Sequence, residues 1–251
     1  MNNRVLITSV GRKVSLVKEF KKAGWYVIGQ DKNPDSIALR FCDSCFDSPD
    51  LIIPTRDEEL FLYEGQFATP ELKTLETCTD KFKFYEWCKA NGFNTPEVYF
   101  VKPRISKSGK EVECVWQEVI KGEEYSIDLF AWGGKVISVV PRKRIKTANG
   151  ESTITQTVKW EPLWLEAQAI SQSLGLVGHN VLQCFLSNGK LVWTDVNCRY
   201  GGASVVGIRA GCQSPKWLLT IINGGTVEPC IGEYKVGLAG YSYTDWEFYE
   251  N

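Results

Sequence analysis

The chain has 251 residues, ample for a packed core, with 43% hydrophobic residues, 24% charged residues and a formal net charge of −1. That balance leaves no basic footprint for nucleic acid, and no apolar run approaches the ~20 residues that a membrane span needs. Arg4 interrupts the first apolar run, so no signal peptide is expected. The nine cysteines are scattered and odd in number, a usage expected of reduced thiols in a cytoplasm. Cys42-x-x-Cys45 has zinc spacing, but no second pair follows and a metal there is disfavoured. A single histidine, His179, argues against histidine-based nucleophilic or general-base chemistry.

In chain order, Arg4–Ser9 reads as a short apolar strand. Val14, Leu16, Val17 and Phe20 then fall on one side of a helix that Gly24 closes. Trp25–Asp31 is a second strand ending in an acid, so a βαβ unit with a parallel sheet is expected. The intervening loop has one glycine, Gly11, where a dinucleotide fingerprint has three, which argues against an NAD-type enzyme. Leu51–Thr55 is a third buried strand, and Arg56–Leu60 starts a helix with acids in its first turn. Ligands in such sheets lie beyond the carboxyl ends of strands, so Ser9–Lys13 and Thr55, Asp57 and Glu59 are expected to face a substrate. Residues 61–76 carry no clear pattern.

Thr79-Asp80-Lys81 caps a helix that runs to Asn91 and closes at Gly92. Strands follow over Val98–Lys102, Cys114–Ile120, Tyr125–Ala131 and Lys135–Val140, the last two joined through Trp132-Gly133-Gly134. Thr153–Lys159 is another. Pro162 opens a helix with Leu163, Trp164, Ala167, Ile170 and Leu174 on one face. Ser214-Pro215 opens a last helix, and the aromatic tail from Cys230 is unassigned. The shift from parallel βαβ to antiparallel strands puts a domain boundary near residue 78.

Two alternating runs, Val181–Leu186 and Lys190–Val196, flank Ser187-Asn188-Gly189, a hairpin signal. Asp195 and Asn197 share one strand face and are hard oxygen ligands suited to Mg²⁺, with Gln183 as a third. Arg199 adds a planar cation for a phosphate or acyl phosphate. An isolated Asp-x-Asn is most often a solvated strand end, and here the register matters. A two-residue turn without a bulge sets Asp195 opposite Leu182, on the other face from Gln183. A three-residue loop pairs Gln183 with Trp193 and gathers Gln183, Asp195 and Asn197 on one face, so an odd-length loop or a bulge is expected.

Lys81 and Lys102 are cations of the kind a polyphosphate needs, although either alone reads as a surface lysine. The polar loop with Ser108 and Gly109 could fold over phosphates through backbone N–H groups. It is not a Walker A loop, because Glu111 stands where Ser or Thr belongs. The strand edge Gln117, Glu118, Val119, Ile120 could meet an adenine and Glu124 a ribose; the plainer reading is a hairpin with acids in its turn. Arg142 and Arg144, two apart on one face, could meet an anion or form a solvated basic edge.

The ordered set LITSVGRK, IIPTRDEEL, CTDK, VKPR, QEVIKGEEYSIDLF, VVPRKRI, GESTITQTV and the Gln183…Asp195-Val-Asn197-Cys-Arg199-Tyr-Gly-Gly hairpin covers nearly the whole chain. It resembles the ATP-grasp superfamily, in its carbamoyl-phosphate-synthase-like branch, as a compact variant. The resemblance implies an α/β Rossmann-like domain over 1–78 and an α+β ATP-grasp domain over 79–251. Within the latter, 79–131 would cover the nucleotide and 132–251 would hold metal and phosphate. Lys81 and Lys102 would hold phosphates of ATP, with Ser108 and Gly109 over them; Gln117–Ile120 would meet adenine and Glu124 ribose. Gln183, Asp195 and Asn197 would bind Mg²⁺, and Arg199 with Arg142 or Arg144 would steady the transferred phosphoryl.

Two departures stand out. Asp195 aligns with a metal-bridging Glu of the family, and the stretch between Lys102 and Trp116 is shorter than the family's glycine-rich loop and helix. The implied activity is an ATP- and Mg²⁺-dependent ligase that activates a carboxylate as an acyl phosphate for an amine or similar nucleophile. Its partners are small molecules, with a homodimer compatible. The alternative is a nucleotide-binding protein of the same fold without ligase turnover.

Overall fold

The computed structural model describes residues 3–105 and 111–248, with residues 100–105 and 111–115 described by their backbone only. The chain opens with β1 (Arg4–Ile7), α1 (Val14–Lys22), β2 (Tyr26–Gly29), β3 (Leu51–Ile53) and the short α2 (Asp57–Leu60). β1 pairs in parallel with both β2 and β3, giving the order β2-β1-β3. This is the parallel unit that the βαβ pattern predicts. Leu16, Val17 and Phe20 of α1 are buried against Val5, Ile7 and Val27 of the sheet.

Two helices follow, α3 (Leu72–Thr79) and α4 (Lys81–Asn91). The Asp80 carboxylate caps α4 by accepting the N–H groups of Phe82 and Lys83 at 2.8 and 3.0 Å, two donors that a helix start otherwise leaves orphaned. Next come β4 (Val98–Ile105) and β5 (Glu111–Gln117), an antiparallel pair standing apart from the main sheet. The expected strand to Ile120 stops three residues early. Its partner β4 begins at Val98, so beyond Gln117 the ladder has no opposing strand, and Glu118 N–H bonds the Glu97 carbonyl at 2.9 Å instead.

β6 (Glu123–Trp132), β7 (Lys135–Ala148), β8 (Glu151–Thr157), α5 (Glu161–Leu174), β9 (Gly178–Ser187), β10 (Lys190–Asn197), α6 (Ser204–Ala210), α7 (Ser214–Ile222) and β11 (Ala239–Tyr241) complete the fold. Their strands form a six-stranded sheet in the order β10-β9-β6-β7-β8-β11. The tail without a sequence assignment supplies the edge strand β11, and α6, seven residues long, is too short for a periodic apolar face to show in the sequence. No helix among the described residues is long and apolar enough to cross a membrane.

Period-two alternation gives this sheet two unlike faces. One carries Tyr125, Ile127, Leu129, Leu182, Cys184, Leu191, Trp193 and Val196, all buried under Leu75 and Cys78 of α3, Phe84 and Cys88 of α4, and Leu163, Ala167 and Ile170 of α5. Burying each large apolar side chain contributes about 1.5–3 kcal/mol. The opposite face is divided. At one end Phe130, Ile137 and Val140 pack with α1, α6, α7 and the parallel sheet in a second core. At the other end the face is polar.

Between the two ends lies a buried polar group. Arg142 Nε donates to Asp128 Oδ2 at 2.5 Å, with side-chain exposures of 2% and 0%. His179 lies 3.3 Å from Asp128 Oδ1, 3.2 Å from Ser204 Oγ and 2.9 Å from Ser214 Oγ. Room for the carboxylate exists because residue 207 is glycine: a Cβ there would lie 2.1 Å from Asp128 Oδ2. Burial pushes the Asp128 pKa up, but the Arg142 charge and the bonds from His179 and Arg142 outweigh it and hold the carboxyl below its usual range.

Asp128→Ala would strand the Arg142 guanidinium in the interior, and urea unfolding at neutral pH should show a loss of about 3–5 kcal/mol. Because the folded-state pKa is depressed, Asp128 contributes stability above its unfolded pKa and loses it as pH falls through the folded one. Stability of the variant should therefore fall less steeply in acid than that of the parent. A variant within 1 kcal/mol of the parent at neutral pH would show that the pair is dispensable.

Candidate functional site

The β9–β10 hairpin turns on two residues, Asn188 and Gly189, with φ of 49° and 75°, and Ser187 pairs with Lys190. The three-residue loop that the sequence favoured is thus replaced by a tight turn whose twist matches the strands. The register is corrected further along. A bulge between Trp193 and Asp195 inserts Thr194, after which Gln183 faces Asp195, Leu182 faces Val196 and Val181 faces Asn197. Gln183, Asp195 and Asn197 do share a face, and Gln183 and Asp195 are direct rather than diagonal neighbours. Trp193, expected opposite Gln183, instead pairs with Cys184 on the buried face, its indole N–H on Glu166 at 2.8 Å.

The bulge also exposes backbone that a regular ladder would consume. Trp193 N–H donates to the Asn94 carbonyl at 2.8 Å, and the Thr194 carbonyl accepts Lys81 Nζ at 3.1 Å. The same ammonium lies 3.1 Å from Asp195 Oδ2. Lys81 therefore reaches the strand that bears the oxygen ligands from the first residue of α4.

Arg199 grips Asp57 in a two-point contact, Nε to Oδ1 at 2.8 Å and Nη2 to Oδ2 at 2.7 Å, and Nη2 also donates to Asn197 Oδ1 at 3.0 Å. Burial alone would lower the Arg199 pKa, but the bonds and charge of Asp57 raise it, so the guanidinium is a fixed cation. Asp57 belongs to α2, beyond the carboxyl end of β3, so this pair joins the parallel domain to the large sheet. The backbone that delivers Arg199 is anchored just beyond it. The Tyr200 ring stacks on His179 with centroids 4.1 Å apart, its hydroxyl donates to Ser214 Oγ at 3.1 Å, and Gly201 N–H donates to Ser204 Oγ at 2.9 Å.

The same sheet face carries Glu124 and Arg144, whose Oε2 and Nε are 3.1 Å apart, and Arg144 Nη2 also donates to the Gly150 carbonyl at 2.6 Å. Arg142 does not join them at the surface. Its Nε and Nη1 donate to Asp128 and Thr155 in the buried group, away from the exposed part of the face where a substrate anion would sit. Gln117 ends β5, and Glu118 and Val119 are exposed, Val119 at 85%. Ser187 Oγ holds the Lys121 carbonyl at 2.8 Å, tethering this segment to the hairpin. Lys102 lies in β4 with only its backbone described, and Ser108 and Gly109 lie outside the described residues.

The donor set on this face suits a hard cation. It is one carboxylate, Asp195, and two amide oxygens, Gln183 and Asn197; the Gln183 side chain makes no hydrogen bond to a described residue. Mg²⁺ is held by one or two carboxylates together with phosphate oxygens and water rather than by an all-protein cage. Among the described residues no three His, Cys, Asp or Glu side chains could hold a metal by themselves. That applies to Cys42 and Cys45 too, and burial lifts the Cys42 thiol to about 12.

A cavity of about 380 Å³ opens beyond the carboxyl ends of β1 and β2, lined by Thr8, Ser9, Gln30, Asp31, Lys32, Glu59, Leu62 and Tyr63. Thr8 Oγ1 and Ser9 Oγ donate to Glu59 Oε2 and Oε1, each at 2.6 Å. Ser9 adopts φ of 45°, an uncommon left-handed conformation for a residue with a Cβ. Gly11 N–H donates to Asp31 Oδ2 at 2.7 Å. The sequence signal for this last contact was the acid that ends the second strand, twenty residues after Gly11.

A family model described as ATP-grasp in the biosynthetic pathway with Ter operon matches residues 110–238, just over half of the chain. One described as PylC-like, N-terminal domain, matches residues 5–64. No curated protein matches the chain. Among solved structures, the phosphoribosylaminoimidazole carboxylase ATPase subunit from Aquifex aeolicus is 18% identical with a TM-score of 0.69, over 90% of this chain and 78% of that one. N5-carboxyaminoimidazole synthetase from Staphylococcus aureus complexed with ADP is 13% identical with a TM-score of 0.70, over 94% and 81%. L-amino acid ligase from Bacillus licheniformis is 16% identical with a TM-score of 0.60, over 87% and 73%. At these identities the likeness is one of fold.

The register can be tested by cross-linking. Directly opposed antiparallel residues lie within disulfide reach. A double variant, Gln183→Cys with Asp195→Cys, should oxidise to a bridge that peptide mapping identifies. The pair Leu182→Cys with Asp195→Cys, which a bulge-free hairpin would oppose, should not. The reverse outcome would place Asp195 on the wrong face for Gln183.

Proposed function

The chain belongs to the ATP-grasp family, and on that premise we propose that it is an ATP- and Mg²⁺-dependent ligase that joins a carboxylate to an amine or similar nucleophile. The observation that carries this reading is the convergence of Lys81, Gln183, Asp195, Asn197 and Arg199 at one edge of one sheet face, with Glu124 and Arg144 further along it. Cations and oxygen ligands so arranged suit a nucleotide triphosphate with its metal.

In this reading Lys81 and Lys102 bind phosphate oxygens, with the Ser108–Gly109 loop over them. The segment Gln117–Ile120 meets the adenine edge, and Glu124 accepts hydrogen bonds from the ribose hydroxyls. Gln183, Asp195 and Asn197 would hold Mg²⁺, which when bound with ATP supplies neutralisation of phosphate charge. The substrate carboxylate attacks the γ-phosphorus and ADP leaves; the amine then displaces phosphate from the acyl phosphate and gives up a proton. Arg199, oriented by Asp57, faces the negative charge that builds up on the transferred group. Such chemistry depends on positioning and charge more than on a proton-relaying side chain, which fits a chain whose one histidine is buried in a structural network.

Calorimetry with a non-hydrolysable ATP analogue should show binding that EDTA abolishes, and Asp195→Ala should weaken Mn²⁺ binding in the presence of the analogue, read by electron paramagnetic resonance. Absence of heat at millimolar analogue would refute nucleotide binding. ADP release should depend on added carboxylate; release without that dependence, or none across a broad screen, favours nucleotide binding without ligase turnover. Asp57→Asn breaks one arm of the Arg199 clamp, and turnover should fall at least tenfold while affinity for the ATP analogue stays within about twofold.

A further inference from the structure

The cavity beyond β1 and β2 has a chemistry of its own. It lies where open α/β sheets place ligands, at the carboxyl ends of the strands, and about 380 Å³ suits a small molecule. Its charged lining residues are Asp31, Glu59 and the exposed Lys32.

An anion entering here would look for the amides of the Gly11 loop, and that position is filled. Gly11 N–H is bonded to Asp31 Oδ2, and the other Asp31 oxygen accepts Asn33 N–H at 2.9 Å. Of the two cations in this loop, Lys13 donates to the Ser9 carbonyl at 2.8 Å and Arg12 is exposed. A phosphate would thus meet two carboxylates, with the Gly11 N–H already committed to one of them.

A cation meets the opposite situation. The Thr8 and Ser9 hydroxyls fix Glu59 with one bond to each oxygen, and each oxygen keeps a lone pair for a further donor. Leu62 and Tyr63 give the wall an apolar part that an alkyl stem can cover. The cavity is joined to Arg199 through α2, which carries both Glu59 and the Asp57 that holds the guanidinium.

We infer that this cavity binds a phosphate-free small molecule through an ammonium group, held by the carboxylates of Glu59 and Asp31. It thereby serves as the amine-substrate pocket of the proposed ligase. The role as substrate pocket rests on the ligase reading; the preference for an ammonium over a phosphate rests on the cavity alone.

Calorimetry on the full chain tests this with two probes of opposite charge, 1,4-diaminobutane and ribose 5-phosphate, each with and without the ATP analogue. The diamine should bind and ribose 5-phosphate should not. Glu59→Gln removes one charge-assisted partner and should weaken the diamine about tenfold or more, with ATP-analogue affinity unchanged. If that variant does not fold, Leu62→Trp, which fills the cavity from an exposed position, should do the same. Tighter binding of ribose 5-phosphate, no heat from the diamine at millimolar concentration, or diamine affinity indifferent to both variants would each overturn the inference. Loss of nucleotide binding with diamine binding intact would remove the ligase reading and leave the ammonium site standing.

Discussion

The site depends first on strand register. In a sheet whose one face is packed under α3, α4 and α5, each strand must present its hydrophobic set to that face, and a slip of one residue inverts every side chain. The β9–β10 hairpin has a tight two-residue turn, and continued without interruption it would send Asp195 and Asn197 into the apolar layer under α3 and α4. Thr194 absorbs the difference as a bulge. One inserted residue keeps Trp193 and Val196 buried and Asp195 and Asn197 on the polar face, and it frees the Thr194 carbonyl for Lys81.

A second dependence runs through the middle of the sheet. Asp128 is fully buried, and its cost is met by Arg142, by His179 and by the space that Gly207 leaves. The cluster binds β6, β7, β9 and α6 together and gives Tyr200 a surface to stack on. Arg199 thus emerges from a segment anchored at Tyr200 and Gly201, while its tip is held by Asp57 of the other domain. Rigid backbone on one side and a carboxylate on the other leave the guanidinium little freedom, which is what preorganised charge stabilisation requires.

The Arg199–Asp57 clamp brings side chains of the two sheets together at one place. The parallel sheet supplies Asp57, Glu59, Ser9 and Asp31; the large sheet supplies Asp195, Asn197 and Arg199. The Lys13 ammonium donates to the Ser9 carbonyl, and burial and the Arg199 charge lower its pKa.

Much of this was legible in the residues themselves. Alternation and turn chemistry mark the antiparallel strands, and a capping Asp80 with Gly92 marks α4, because these signals act over a few residues. The Asp195-Val-Asn197 pair shares a face for the same local reason. Residues 61–76 and α6 were not legible, since short helices without a clear polar stripe owe their form to what they pack on. The roles of the arginines were likewise undetermined. Arg142 and Arg144 look equivalent in sequence, yet one is buried on Asp128 and the other lies beside Glu124 on the polar face. By itself the sequence determined the elements, the faces of each strand and the inventory of cations and oxygen ligands. Only the tertiary structure decided where the bulge falls, which arginine is consumed by the core, and that Asp57 and Arg199, 142 residues apart, meet. Those outcomes depend on long-range pairing and desolvation, and no local spacing encodes either.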